Sequence, residues 1–339
     1  MKALPTWTKI STIGAALAVA LAVPSLAKNT YQMLMFNLVL IYVMLTLGLN
    51  FSLGLTGQAS MGHAALWGIG SYCTAILATR LHWPFYVVMP ITVLVGVAFG
   101  LFIGLPTTRL KGRYLALATM AFGEIVIIVL MNWAKLTGGP NGILGIPAPV
   151  IFGLKLNTTY KFYYFSLAVV LLGILFTLSL LSSRFGRAMQ AIRENELAAE
   201  VIGVPTYRVK VLSFILSSAF ASIAGSLYVY MQGYVDPNSF IQFESLRVIT
   251  MLFIGGAGTV VGPILGAILL TMLPEFVRGL KDYYMLVYGA GVVLLMIFMP
   301  TGLYGVAGSL VERVMEKRAS VRAKARAEGG AARGDGSCA

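Results

Sequence analysis

Apolar runs of about twenty residues dominate this chain, each long enough to cross a hydrocarbon layer of roughly 30 Å as a helix. Uninterrupted runs lie near residues 10–27, 33–54, 59–79, 86–106, 114–133, 161–182, 209–232 and 283–299, and an interrupted one occupies 245–273. Backbone groups in lipid must find partners within their own segment, and these runs are too long and continuous for barrel strands. They predict an all-α polytopic integral membrane protein, a compact bundle of about 8–10 transmembrane helices. Charge agrees: only 11% of the 339 residues are charged, against about a quarter in soluble domains. That excludes an ordinary soluble enzyme and a disordered chain. The net charge of +13 does not point to nucleic acid, because the basic residues sit between the apolar runs and in a tail.

Those basic residues set an orientation. Seventeen of the 25 Lys and Arg fall at Lys2 and Lys9, at 109–113, at 184–210 and after residue 300, and the positive-inside tendency makes these regions cytoplasmic. Nine full crossings would leave the basic tail outside. Gly255, Gly256, Gly258, Gly262 and Pro263 interrupt the 245–273 run, which predicts a broken or re-entrant helix pair there and restores the parity. The run 10–27 ends in Pro24, Ser25, Leu26 and Ala27, similar to a signal-peptide cleavage site; a retained first helix is the expectation. Three regions follow: 1–31 with that helix, a membrane-embedded body at 32–305, and a basic tail at 306–339 expected to touch anionic lipid. Cys73 and Cys338 lack disulfide or metal spacing.

Small residues recur every fourth position at Gly96, Gly100 and Gly104, at Ser213, Ser217, Ala221 and Gly225, and at Gly258, Gly262 and Gly266. Such stripes let helix backbones approach closely. The segment GLTGQASMGHAALWGIGSY at 54–72 mixes glycines with polar groups, including Gly57, Gln58, Ser60, Gly62 and His63. A segment of this kind can break its helix and turn dipoles toward a solute path. These residues, with Gly255, Gly256, Gly258 and Glu124, are the candidates for a path or gate.

Glu124 lies midway along 114–133. A carboxylate there is expected to face the bundle interior or a wet cavity, or to be protonated, and Arg247 is the basic residue that could approach it. No Gly-Lys dipeptide occurs, so the phosphate-binding G-x-x-x-x-G-K-[ST] loop is absent and no catalytic residues, metal or bound cofactor are expected. The largest polar stretch, 183–210, predicts an amphipathic helix over 187–203 with Met189, Ile192, Ala199 and Ile202 on one face and a Gly203, Pro205 stop. Its mixed charges, Arg187, Arg193, Glu194, Glu196 and Glu200, favour a protein partner over a lipid surface.

Six segments together resemble the permease subunits of branched-chain amino acid ABC importers, the LivM branch: 54–72, GRYLALATMAFGEI at 112–125, LTGGPNGI at 136–143, FGRAMQAIRENELAAEVIGVPTYRVK at 185–210, FIGGAGTVVGPILGA at 253–267 and MPTGLYG at 299–305. The resemblance spans roughly residues 33 to 305. It implies a bacterial inner-membrane subunit that pairs with a second, LivH-like permease and two ABC ATPase subunits carrying ATP and Mg, with a periplasmic binding protein delivering Leu, Ile or Val. It also implies that Glu196, Ala198, Ala199 and Gly203 form a Glu-Ala-Ala-like element docking on the ATPase, loosely spaced because Leu197 intervenes, with Arg187, Arg193 and Glu194 beside it. Urea and short amides stay open as substrates, since permeases for them belong to close relatives of this family. A gradient-driven transporter using Glu124 or His63 is the rival from another class.

Overall fold

The computed structural model describes residues 29–277 except Lys111 and Phe152, with short pieces at 20–22, 24, 289–290, 293–294 and 302–305. The runs expected at 10–27 and 283–299 and the tail at 306–339 fall almost wholly outside the described residues. Within them the chain is helical throughout its apolar runs. Helix α1 covers Thr30–Leu49 and continues through a π-turn at Asn50–Gly54; α2 is His63–Thr79, α3 Phe85–Thr107, α4 Arg113–Asn132 and α5 the short Ala134–Thr137. Then come α6 Thr159–Ser182, α7 Arg184–Glu194, α8 Glu196–Val201, α9 Thr206–Gln232, α10 Gln242–Gly255 and α11 Val261–Val277. The strands among the described residues are four two-residue pieces in the connections, paired antiparallel as 143–144 with 234–235 and 150–151 with 154–155.

Among the described residues five helices are long and apolar enough to span a membrane, and the fold is that of an all-α polytopic membrane protein. Helices α1 and α9 form the centre and are mostly buried, whereas α3, α4 and α6 bury one face each. The small-residue stripes explain how α9 becomes central. Ser222 and Ser218 of α9 sit directly against Gly96 and Gly100 of α3, and Phe214 covers Gly104. On another face Gly225 lies so close to α2 that a Cβ would come 2.6 Å from the Trp67 carbonyl oxygen. Trp67, Tyr228 and Phe240 then stack edge to face, with centroids 4.9 Å apart for both pairs that Trp67 makes. Each edge-to-face pair adds about 0.5–1.5 kcal/mol beyond its area.

The interrupted segment is a helical hairpin. Helix α10 has 14 residues, about 21 Å, too short for a full crossing. It ends at Gly256, whose φ of 117° no other residue type adopts readily, and α11 folds back against it with Gly262 and Gly266 packed on Gly255. The amphipathic segment departs from the expected single helix over 187–203. Asn195 is extended (φ −159°, ψ 107°) and its side chain accepts a hydrogen bond from Ala198 N, capping α8, so the segment is two helices, α7 and α8, with a corner between them.

Candidate functional site

Three elements far apart in sequence meet at one end of the bundle: the end of α1 with the irregular stretch that follows it, the α10–α11 turn, and the α7–α8 pair. The same end carries Arg109, whose guanidinium lies 5.7 Å from the centre of the Tyr207 ring at the start of α9.

Asn50 holds the first two elements together. Its side chain is fully buried. Nδ2 donates to the carbonyl oxygen of Thr259 at 2.8 Å, and Oδ1 accepts from the N–H of Gly258 at 2.8 Å. Both atoms of the amide are thus spent on backbone freed by the α10–α11 turn, as a broken helix at membrane depth requires. Gly54 leaves the room for this: a Cβ there would collide with Asn50 Oδ1 and lie 2.8 Å from Gly258 N. Gly302 closes on the other side, where a Cβ would fall 2.6 Å from the Gly256 Cα.

Arg193 of α7 joins the third element. Its Nη1 donates to the carbonyl oxygen of Ala257 at 3.2 Å and lies directly over Gly258, while its Cγ is 4.0 Å from where a Cβ of Gly57 would stand. One guanidinium side chain therefore touches both helix breaks. A second link runs through α8. Glu196 forms an ion pair with Lys210, whose side chain is only 8% exposed, and the Lys210 carbonyl accepts from Gln58 Nε2 at 3.2 Å. Gln58 also donates to Ser213 Oγ at 2.9 Å.

The other candidates take the following places. Gln58, Ser60 and His63 are all buried. The carbonyl of Leu45 lies 3.0 Å from His63 Nε2, and a carbonyl only accepts, so Nε2 carries the proton and Nδ1 accepts from Ser217 at 3.4 Å. His63 ties α1, α2 and α9 together. Gly62 lets α2 begin against α4, where a Cβ would come 2.6 Å from the Thr119 carbonyl oxygen. The orphan N–H groups at this helix start are met by Thr119 Oγ1 from Met61 N and by Ser245 Oγ from Ala64 N.

Arg187 donates to the carbonyl oxygen of Ser182 at 3.0 Å, Glu194 and Ala198 are exposed, and Ala199 is buried. Gly203 closes α8 in a left-handed turn with φ 86° and open space around it. Helical spacing groups Ile202 with Met189, Ile192 and Ala199, but those three are buried in the chain and Ile202 is not. It is 75% exposed, because α8 stops at Val201 and the turn aims it outward. With Leu197 at 66% and Val201 at 87%, it forms an apolar patch on the face of α8 turned away from the bundle.

Of the settings expected for Glu124, only the interior of this chain's own bundle is corrected. Glu124 is exposed on the outward side of α4, not turned into this chain's own bundle, because α4 buries only the stripe Leu115, Thr119, Gly123, Val126, Ile127 and Leu130. Among the described residues no ion pair joins it to Arg247, whose guanidinium lies 3.5 Å from Glu244, donates to Tyr42 Oη at 3.0 Å and covers the Tyr42 ring. Tyr42 in turn donates to Glu244 at 2.8 Å. Among the described residues no group of His, Cys, Asp and Glu could hold a metal ion.

A polytopic helical membrane protein whose amphipathic surface helices are wired to two broken membrane segments is built for transport. The chain belongs to the family of branched-chain amino acid transport system permease components, whose model matches residues 32–299. It is 38% identical over 290 residues to the high-affinity branched-chain amino acid transport system permease protein LivM of Escherichia coli, covering 79% of this chain and 68% of that one. LivM of Salmonella typhimurium is 37% identical over the same shares. The high-affinity branched-chain amino acid transport system permease protein LivH of Salmonella typhimurium is 26% identical over 287 residues, 78% of this chain and 91% of LivH. No solved structure gives a significant match.

Asn50 and Lys210 are the residues that reading the sequence missed. Asn50 looks like one polar residue tolerated in the run 33–54, and its partners stand more than 200 positions away. An amide four residues before a glycine-rich segment is no signal by itself, since Asn37 stands in the same run.

Proposed function

We propose that this chain is one of the two permease subunits of an ATP-driven importer of Leu, Ile and Val, which a periplasmic binding protein delivers. The observation that carries this reading is the α7–α8 pair, which turns Leu197, Val201 and Ile202 outward while Arg193 reaches the two helix breaks and Glu196 pairs with Lys210, whose carbonyl holds Gln58. An exposed apolar ridge on short surface helices fits a groove on a partner. In this reading the partner is an ABC ATPase, which carries the ATP and Mg, and this chain binds no cofactor. ATPase closure pushes on α8, and Arg193 and the Glu196–Lys210–Gln58 link carry the displacement to the turn 256–260 and the stretch 55–62. These two segments, with Gly57, Gln58, Ser60, Gly62, His63, Gly255, Gly256 and Gly258, form the gate.

Broken helices suit the cargo. A zwitterionic amino acid presents one anionic and one cationic end, and helix termini at membrane depth offer dipoles to both without a fixed buried charge. The test is recovery of a tagged copy from native bacterial inner membranes in mild detergent, with its companions identified by mass spectrometry. A second permease of similar size and one or two ATPases with Gly-Lys phosphate loops are the expected companions. Recovery of the chain alone or as a homo-oligomer after gentle cross-linking contradicts the reading.

A further inference from the structure

Three long helices present outward faces, and only one of them is unsuited to lipid. On α3 the exposed side chains between Tyr86 and Leu105 are Pro90, Leu94, Ala98, Phe99, Leu101 and Phe102; on α6 those between Tyr164 and Leu178 are Ala168, Leu172, Leu175 and Phe176. All are apolar, as contact with hydrocarbon demands. The outward arc of α4 carries Leu117, Met120, Ile125 and Ile128, and among them Glu124, the twelfth of the helix's 20 residues. A charged side chain held against lipid at that depth costs on the order of 2.5–3.5 kcal/mol even on the mildest scale. Snorkelling does not rescue it, because a glutamate stem is short and both helix ends lie well over one turn away.

We infer that the outward face of α4 centred on Glu124 is the surface against which the second permease subunit sits, with a hydrogen-bond donor or cation of that subunit opposite the carboxylate. The inference rests on the two-permease reading proposed above. One system of Salmonella typhimurium contains two permease proteins, LivM and LivH, and both are similar to this chain along most of its length. A second permease of this kind therefore shares the fold, and two subunits of one fold pair about an approximate two-fold axis that brings the same face of each together. A mid-membrane carboxylate next to such an axis is shielded from lipid and met by protein. The α4 face also borders the break at the start of α2: Gly123 packs on Gly62 and Ala65, and the side-chain amide oxygen of Gln242 comes 3.4 Å from where a Gly123 Cβ would stand. The subunit boundary so placed runs beside the proposed gate, where a path shared by two permeases would open.

The test uses the intact complex in native membranes with a photo-reactive phenylalanine at one position at a time: Met120 or Ile128 on α4, Leu172 or Leu175 on α6, Leu94 or Phe102 on α3. The expected result is an adduct with the second permease from the α4 positions and none from the other two helices. An adduct from α6 or α3 without one from α4 overturns the inference, as does a complex that co-purifies yet gives no adduct from α4. Failure of any second permease to co-purify contradicts the two-permease reading instead. A second readout guards against a reagent artefact. Glu124→Gln keeps hydrogen-bonding capacity and should retain the second permease through detergent washing. Glu124→Leu, which a lipid-facing site would welcome, should raise its dissociation about tenfold, the equivalent of one lost hydrogen bond to a charged group. Equal retention by the two variants overturns the inference.

Discussion

Replacing Asn50 by Leu removes both hydrogen bonds that join the first helix break to the second while keeping the number and branching of the side-chain heavy atoms. Gly258 N–H and Thr259 C=O, each 2.8 Å from the lost amide, are then left without a side-chain partner. A buried unsatisfied group costs about 1–3 kcal/mol, and residues 257–259 are half-buried, so the lower end applies to each. The joined arrangement of the breaks should lose roughly 2–3 kcal/mol relative to separated ones, about a 30- to 140-fold shift in that equilibrium. Leucine suits a membrane helix, so the chain should still insert and accumulate. The assay is Leu uptake per ATP hydrolysed by the complete transporter in proteoliposomes, with the subunit's level checked by immunoblot. Uptake should fall at least tenfold while ATP hydrolysis persists, which is uncoupling rather than loss of protein. Wild-type uptake with wild-type ATP cost in the Leu variant would refute the reasoning.

Gly258→Ala puts a methyl group onto the Arg193 guanidinium at a backbone φ of 86°, so it should uncouple as Asn50→Leu does, and the same proteoliposome assay reads it. Glu196→Gln leaves the buried Lys210 ammonium without its counter-ion; after discounting for the partly exposed carboxylate the expected loss is about 1–3 kcal/mol, seen as a lower thermal midpoint in detergent, and Glu196→Gln with Lys210→Met should recover most of it. Val201→Glu changes a side chain that is 87% exposed, so stability should move by no more than about 0.5 kcal/mol, whereas ATPase co-purification should drop by tenfold or more, the equivalent of about 1.5–3 kcal/mol of lost apolar burial. Unchanged ATPase recovery there would remove α8 from the docking surface.

Much of this architecture is legible in the sequence because lipid imposes it. Hydrocarbon allows only internally satisfied backbone, so run length alone places α1, α3, α4, α6 and α9 within a few residues. The glycine and proline cluster at 255–263 marks the α10–α11 turn, and both small-residue stripes lie at close helix contacts, though not with each other: Gly96, Gly100 and Gly104 pack on Ser222, Ser218 and Phe214, while Ser213, Ser217 and Gly225 meet the end of α1 and α2. What sequence periodicity does not encode is which neighbour a face meets. The charge of Glu124 says that lipid is costly for it, not whether it faces this chain's interior, a wet cavity or a neighbour, and Arg247, which could have approached it, is engaged by Glu244, three residues away on the same helix, and by Tyr42. The corner at Asn195 was readable, since Asn before Glu-Leu-Ala is a helix-capping pattern, but a continuous charge pattern masked it. Asn50 was invisible for a different reason: its meaning lies wholly in two backbone atoms on another helix pair.

The central claim is that movement of an ATPase reaches this chain's helix breaks and drives amino acid import. The most direct measurement is radiolabelled Leu uptake into proteoliposomes holding the purified complex and its binding protein, comparing enclosed ATP, no ATP, and an imposed membrane potential or proton gradient without ATP. Uptake with ATP alone, abolished when the phosphate-loop lysine of the ATPase is replaced, is the predicted result. Uptake driven by the potential or proton gradient without ATP would contradict the account and make this a gradient-driven transporter.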